Sequence, residues 1–237
     1  MEYNSPLGKI KEQYLLSLLQ LPASSDVLEV GCGNGKFLHQ ILEAYEANVV
    51  GVDIDAQLIE QAQSYCVDNF ASDCFKFINQ PIKEVDLPKD HFDLVVCNGS
   101  SHAFGDGESA LESTFSEVLK LLKPGGRLLL GECYWKQQPD QSYLDVLGVT
   151  QDMYQTHHGN VKLAQEAGFT ALYATTSSED EWDNFEWSRI MSIHSLKGEP
   201  DCSSEIKLKA KQLGKWIDIY LGLGRDTLGY GFYILEK

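Results

Sequence analysis

"VLEVGCGNGKF", Val27 to Phe37, places three glycines within five residues directly behind an apolar run. An apolar run of this kind reads as a strand buried on both faces. Gly31, Gly33 and Gly35 let the backbone turn tightly, leaving bare N–H groups to face a ligand at the N-terminus of the helix that follows.

Outward from this loop, strands and helices alternate. Lys9 to Leu21 has helical apolar spacing and is closed by Pro22. Asp26 to Val30 is the first strand, with a helix over Gly35 to Tyr45. Asn48 to Ile54 is the second strand, with a helix from Ala56 to Asn69. "FKFIN" and "FDLVVCN" (Phe92 to Asn98) supply the third and fourth strands. Helix "ALESTFSEVLKLL" stops at "KPGG", before strand "RLLLGECY". This order predicts an α/β fold, a parallel sheet covered by helices on both faces, with ligands beyond the carboxyl ends of the strands.

Past strand five the pattern loosens. Asn160 to Ala167 reads as a short helix and "FTALYATTSS" as a sixth strand. Glu179 to Arg225 holds two helical stretches, around Asn184 to Leu196 and Ser203 to Leu221, and "LGYGFYILE" is a last strand. The expected organisation is a single domain over 1–237: an N-terminal helix within 1–22, a core over 24–178, a helical cap insertion over 179–227 and the last strand at 228–237.

The 237 residues suffice for a sizeable core. No apolar stretch is long enough to span a membrane, and "MEYNSPLGKI" lacks the pattern of a secretory leader. Six cysteines scattered singly (Cys32, Cys66, Cys74, Cys97, Cys133, Cys202) fit free thiols in a reducing cytoplasm. A formal net charge of -16 opposes binding to nucleic acid or to anionic membranes and leaves neutral or cationic small substrates open. Nothing in the sequence fixes the oligomeric state.

The loop alone admits two ligand classes. Dinucleotide binding wants Gly-x-Gly-x-x-Gly, and Lys36 stands where the third glycine would fall, which counts against a nicotinamide-linked oxidoreductase. Glu29, inside the strand, suits an amino-bearing ligand better than a pyrophosphate. Asp53, at the end of the second strand, can accept both hydroxyls of a ribose in either class.

"VLEVGCGNGKF", "VVGVDID", "FDLVVCN" and "LLKPGGRLLLGE" together resemble the successive motifs of class I S-adenosylmethionine-dependent methyltransferases, from about Ser24 to Glu132. The tail resembles a little-characterised bacterial group of small-molecule type with a helical insertion before the last strand. The resemblance implies a Rossmann-like seven-stranded sheet, mostly parallel with an antiparallel last strand. It implies S-adenosyl-L-methionine as methyl donor, S-adenosyl-L-homocysteine as product and a small-molecule acceptor. It assigns cofactor binding to Glu29, Gly31, Cys32, Gly33, Asn34, Gly35 and Asp53, with Ile54 on the adenine and Asn98 and Gly99 at the methionine part. Many relatives carry an Asp after the third strand for the adenine amino group. Here Gln80, Pro81 and Ile82 occupy that region, and a glutamine carbonyl can accept the same bond. The departure keeps open a non-catalytic nucleoside-binding protein.

Because the sulfonium methyl is already activated, such an enzyme mainly aligns the acceptor and, where needed, removes one proton. His102, Glu132 and Tyr134, beyond strands four and five, are the candidate catalytic residues. His102 is a base near neutral pH or a loop histidine bonded to backbone. Glu132 orients the acceptor. Tyr134 with Trp135 forms an aromatic wall or packs beneath the cap. Trp182, Phe185 and Trp187 seat the insertion on the core or look into the pocket. Arg225 pairs with Asp226 or binds a substrate carboxylate. The adjacent His157 and His158 have no partner at metal-ligand spacing, so no metal site is expected.

Overall fold

The computed structural model describes residues 3–197 and 204–237. Seven strands form one sheet: β1 (Ser25–Val30), β2 (Ala47–Asp53), β3 (Phe75–Asn79), β4 (Phe92–Asn98), β5 (Leu122–Trp135), β6 (Thr170–Thr176) and β7 (Leu228–Glu236). Their order is β3-β2-β1-β4-β5-β7-β6. Pairings from β3 through β5 are parallel, and β7 runs antiparallel to both neighbours. The order reverses direction between β1 and β4, which opens a crevice at their carboxyl ends.

The helices are α1 (Lys9–Leu19), α2 (Lys36–Ala44), α3 (Ala56–Asn69), α4 (Ala110–Leu121), α5 (Gln141–Leu147), α6 (His157–Ala167), α7 (Glu179–Lys197) and α8 (Ser204–Ile219). They divide between two cores. Val27, Leu94, Val96 and Leu129 face a cluster that includes Leu15, Phe37, Ile41, Trp182 and Ile217, from α1, α2, α7 and α8. Their neighbours Leu28, Val95, Cys97, Leu128 and Leu130 face the other way, onto Phe115 of α4 and Ala164 of α6. Alternation across a sheet covered on both sides is why the strands read as continuous apolar runs.

Several boundaries differ from the sequence reading. β5 begins at Leu122, because "KPGG" stays within the strand and is absorbed by a register shift opposite Phe92/Leu94. α5 was not anticipated. Asp140 caps it by accepting from the Ser142 amide, and Gly148 ends it in the left-handed region. α6 starts at His157 because Thr156 accepts from the Gly159 amide. α7 starts at Glu179, five residues before the expected Asn184, behind a capping box. The Glu181 amide donates to Ser178 Oγ at 3.2 Å and the Ser178 amide donates to Glu181 Oε2 at 2.7 Å.

Within α7, Trp182 is buried in the first core against Phe185 and Tyr230, whereas Trp187 is 41% exposed on the outer face. Arg225 pairs with Asp183 (2.9 Å) and Glu179 (3.2 Å) across the insertion, in place of the expected Asp226. Cys32, Cys66, Cys74, Cys97 and Cys133 are free thiols, and Cys202 lies outside the described residues. No described helix is long and apolar enough to cross a membrane.

Candidate active site

The crevice holds a cavity of about 510 Å³ at the carboxyl ends of β1, β2 and β4. Glu29, Gly31, Cys32, Gly33, Asn34, Asp53, Ile54, Gln80, Pro81, Ile82, Asn98 and Gly99 all line it, as does His102. Gly35 does not; it underlies the loop. The sequence reading missed Tyr3 and Asn4, from the segment before α1, and Ser100 and Ala103, from the turn after β4.

The loop glycines are demanded by different neighbours. At Gly31 (φ +71°) a Cβ would fall 2.5 Å from the Ser100 Cβ. At Gly35 (φ +73°) it would fall 2.9 Å from both the Ala62 Cβ and His39 Nε2, so this glycine seats α2 against α3. Only at Gly33 is the space open, with Leu58 at 3.9 Å. The bare amides expected of the loop are mostly committed inside the protein. Gly31 and Cys32 donate to the Val52 carbonyl (2.8 and 3.1 Å), Gly33 to Asp53 Oδ2 (2.8 Å) and Gly35 to the Cys32 carbonyl (2.9 Å). The Asn34 amide has no such partner among the described residues. Cys32 contributes backbone, its thiol turning into the core against Gly51.

Two acidic side chains, Glu29 and Asp53, line the cavity together with Lys36. Glu29 is 4% exposed and its Oε2 has no hydrogen-bond partner. Burial first, and the nearby Asp53 second, push its carboxyl well above the usual carboxylate range. Asp53 is fixed by accepting from Gly33 at Oδ2 and from the Asp55 amide at Oδ1 (2.8 Å). Each oxygen keeps a lone pair for a further donor. Ile54 stands 74% exposed at the rim, an apolar surface offered to a ligand. Across the cavity, Asn98 accepts from the Tyr230 hydroxyl (2.8 Å) and donates to Ser5 Oγ (3.1 Å).

His102 is exposed on a 3-10 turn, Ser101–Ala103, at the cavity edge. Neither of the other two catalytic candidates lines the cavity. Alternation along β5 sends Gly131 to the side of Asn98, and Glu132 and Tyr134 to the opposite face. Glu132 is 7% exposed beneath the turn, accepting from the Cys133 amide at Oε1 (2.9 Å), and its buried Oε2 has no hydrogen-bond partner among the described residues. Burial raises its carboxyl, and the neighbouring Ser101 hydroxyl and Cys133 amide pull it back in part. Tyr134 is buried over Gly229 beside His157. Trp135 packs in the first core, its indole N–H donating to the Gln151 carbonyl at 2.7 Å, so the aromatic wall is not present. His157 Nδ1 lies 2.8 Å from the Tyr233 hydroxyl, which also accepts from Asn160 Nδ2 at 3.0 Å. Among the described residues no group of three or more His, Cys, Asp or Glu could hold a metal.

The fold is shared with known proteins. The chain is similar to the uncharacterised protein YjhP of Escherichia coli K12 at 23% identity, covering 98% of this chain and 92% of that one. The solved structure of YjhP matches with a TM-score of 0.81. A Thiobacillus denitrificans S-adenosylmethionine-dependent methyltransferase, solved with S-adenosyl-L-homocysteine, has the same fold. Its TM-score is 0.85 at 22% identity, covering 99% of this chain and 93% of that one. A Neurospora crassa sterol 24-C-methyltransferase is 26% identical over 71% of this chain, which spans only 40% of that enzyme's length. The model of the methyltransferase domain matches residues 22–192. The chain thus belongs to the methyltransferase-domain family of class I S-adenosylmethionine-dependent enzymes.

Proposed function

We propose that the cavity between β1 and β4 binds S-adenosyl-L-methionine and that the chain transfers its methyl group to a small-molecule acceptor. The observation that carries this reading is the buried Glu29 Oε2, a partnerless acceptor in the wall of a cavity that also holds Asp53 and the exposed Ile54. An ammonium suits the first, ribose hydroxyls the second and an adenine face the third. Gln80, Pro81 and Ile82 border the same cavity and take the adenine edge, with the Gln80 carbonyl standing in for the family's usual Asp. Gly33, Asn34, Asn98 and Gly99 complete the wall.

The bound cofactor supplies a methyl group already activated as a sulfonium. The chain's own work is alignment and, for an acceptor that must lose a proton, its removal. His102 is the base, since it alone of the three candidates borders the cavity. Glu132, buried beside Ser101, backs the turn that carries it. α7 and α8 act as a cap on the acceptor side, seated by Trp182 on Tyr230 with ring centroids 6.1 Å apart. The sterol methyltransferase among the relatives supports a small organic acceptor. The net charge of -16 supports an acceptor that is neither nucleic acid nor a bilayer, and the free thiols support a cytoplasmic setting.

Titration calorimetry with S-adenosyl-L-methionine, S-adenosyl-L-homocysteine and NAD tests the cofactor, with binding expected for the first two alone. Failure of both sulfur nucleosides to bind overturns the reading. A mass-spectrometric screen of small-molecule pools for a gain of one methyl group separates an enzyme from a binding protein.

A further inference from the structure

The last strand reaches a residue of the cavity wall through one hydroxyl. Tyr230 of β7 is 5% exposed, and its hydroxyl donates to Asn98 Oδ1 at 2.8 Å. On the other side of the same carboxamide, Nδ2 donates to Ser5 Oγ at 3.1 Å. Each bond joins the carboxamide to a hydroxyl, so the two together hold its plane between β7 and the segment before α1. Room for the pair is cleared by two glycines. A Cβ at Gly131, the register partner of Asn98, would fall 2.2 Å from Asn98 Oδ1 and 2.9 Å from the Tyr230 hydroxyl. A Cβ at Gly99 would fall 2.9 Å from that hydroxyl as well. Ser5 is itself held in place. The Ser177 hydroxyl donates to the Pro6 carbonyl at 2.6 Å, and the Gly8 amide donates to Glu181 Oε1 at 3.2 Å.

We infer that Tyr230 is a positioning residue of the cavity, its hydroxyl acting with that of Ser5 to hold the Asn98 carboxamide in one plane at the cavity wall. Asn98 has four hydrogen-bonding positions, and Tyr230 occupies one on the oxygen. With the phenol in place, the carboxamide is fixed beside Glu29, its same-face neighbour on the adjacent strand, and offers the ligand a polar group in a set position. Without it the carboxamide keeps only the Ser5 bond and is free to turn about its side-chain torsions. Burial keeps the phenol neutral by pushing its titration well above the usual tyrosine range, so it remains a donor. The ring is braced from α7 by Trp182, which ties the insertion to the polarity of the site.

This inference rests on the proposed cofactor reading, and S-adenosyl-L-homocysteine is the probe. Tyr230→Phe keeps the ring and removes the donor; binding is expected to weaken about 5- to 20-fold, the scale of one hydrogen bond to a buried partner. In the Asn98→Ala background the same change should cost nothing further, because the group it positions is gone. A second readout needs no ligand: in ¹⁵N spectra of the full chain, Tyr230→Phe should move the Asn98 side-chain NH2 pair while backbone dispersion persists. Wild-type affinity in Tyr230→Phe, losses that multiply in the double variant, or an unmoved Asn98 pair each overturns the inference. A wild-type chain that does not bind the probe overturns the cofactor reading itself, and the inference with it.

Discussion

The Gly33 amide donates to Asp53 Oδ2 at 2.8 Å, so the glycine loop after β1 and the acidic end of β2 are one unit. The Asp55 amide fixes the other oxygen and begins the turn into α3, where Asp55 itself accepts from Gln57 and Leu58. The carboxylate is thereby set before any ligand arrives, which is the arrangement a binding group needs if ordering costs are to be small.

Asp53→Ala should therefore weaken S-adenosyl-L-methionine binding by about 1 to 3 kcal/mol, the scale of leaving buried polar partners unmade. Because the Gly33 amide loses its acceptor too, the melting temperature should fall in the same variant. Calorimetry and a thermal melt on one preparation check both. Unchanged affinity would remove Asp53 from the site.

Glu29 gives a pH dependence of fixed sign. Its folded-state titration lies above its unfolded value because burial, then Asp53, oppose the charge. The stabilising contribution of such a group is fully present below the unfolded value, near pH 4.5, and is lost as pH rises through the folded value. Glu29→Gln cannot ionise, so it should melt above wild type at pH 8, by about 2 to 4 °C for each kcal/mol relieved. The advantage should shrink toward pH 4. The same variant should bind S-adenosyl-L-homocysteine more weakly, having lost the carboxylate.

How much of this was legible in the sequence depends on where each residue sits along the chain. Glu29, the loop and Asp53 were readable because each lies at a strand end beside a turn whose residue types are restricted. Tyr3, Ser5 and Tyr230 were not, since Ser5 and Tyr230 reach Asn98 and Tyr3 reaches the cavity from the two ends of the chain, and no local pattern records that meeting. Glu132 and Tyr134 were misplaced for want of counting: with Leu129 and Asn98 on one face, residues 132 and 134 fall on the other. The early start of α7 was written in Ser178-Glu179-Asp180-Glu181, a capping box concealed by the run of acids, and α5 in Asp140 and Gly148.

The capping box carries its own prediction. Ser178→Ala removes the acceptor for the Glu181 amide and should cost about 1 kcal/mol. Glu181 also accepts from Gly8 and pairs with Lys11 of α1, so the loss should show as faster hydrogen exchange at the start of α7 and in residues 3–8. Protection unchanged in both segments would separate the cap from the N-terminal segment.

His102 is exposed at the cavity edge and is expected to act on the acceptor alone. With an acceptor from the product screen, His102→Ala should lower turnover while S-adenosyl-L-homocysteine affinity stays at the wild-type level. An unaltered rate would take His102 out of the mechanism and leave alignment as the chain's whole contribution.

Gly31 and Gly33 share a left-handed backbone, so comparing them separates what the loop does for the fold from what it does for the ligand. An alanine at either position meets the left-handed penalty, about 1 to 2 kcal/mol. At Gly31 the methyl also meets the Ser100 Cβ at 2.5 Å, and Ser100 is tied by its hydroxyl to the Val30 carbonyl, so it cannot step aside cheaply. At Gly33 the methyl meets nothing nearer than Leu58 at 3.9 Å and stands in the cavity. Gly31→Ala should thus lose clearly more stability than Gly33→Ala, whereas Gly33→Ala should lose S-adenosyl-L-homocysteine binding while still melting cooperatively. If Gly33→Ala bound the nucleoside like wild type, the ligand would not lie against this loop, and Gly33 would serve only its left-handed turn while Gly31 serves packing.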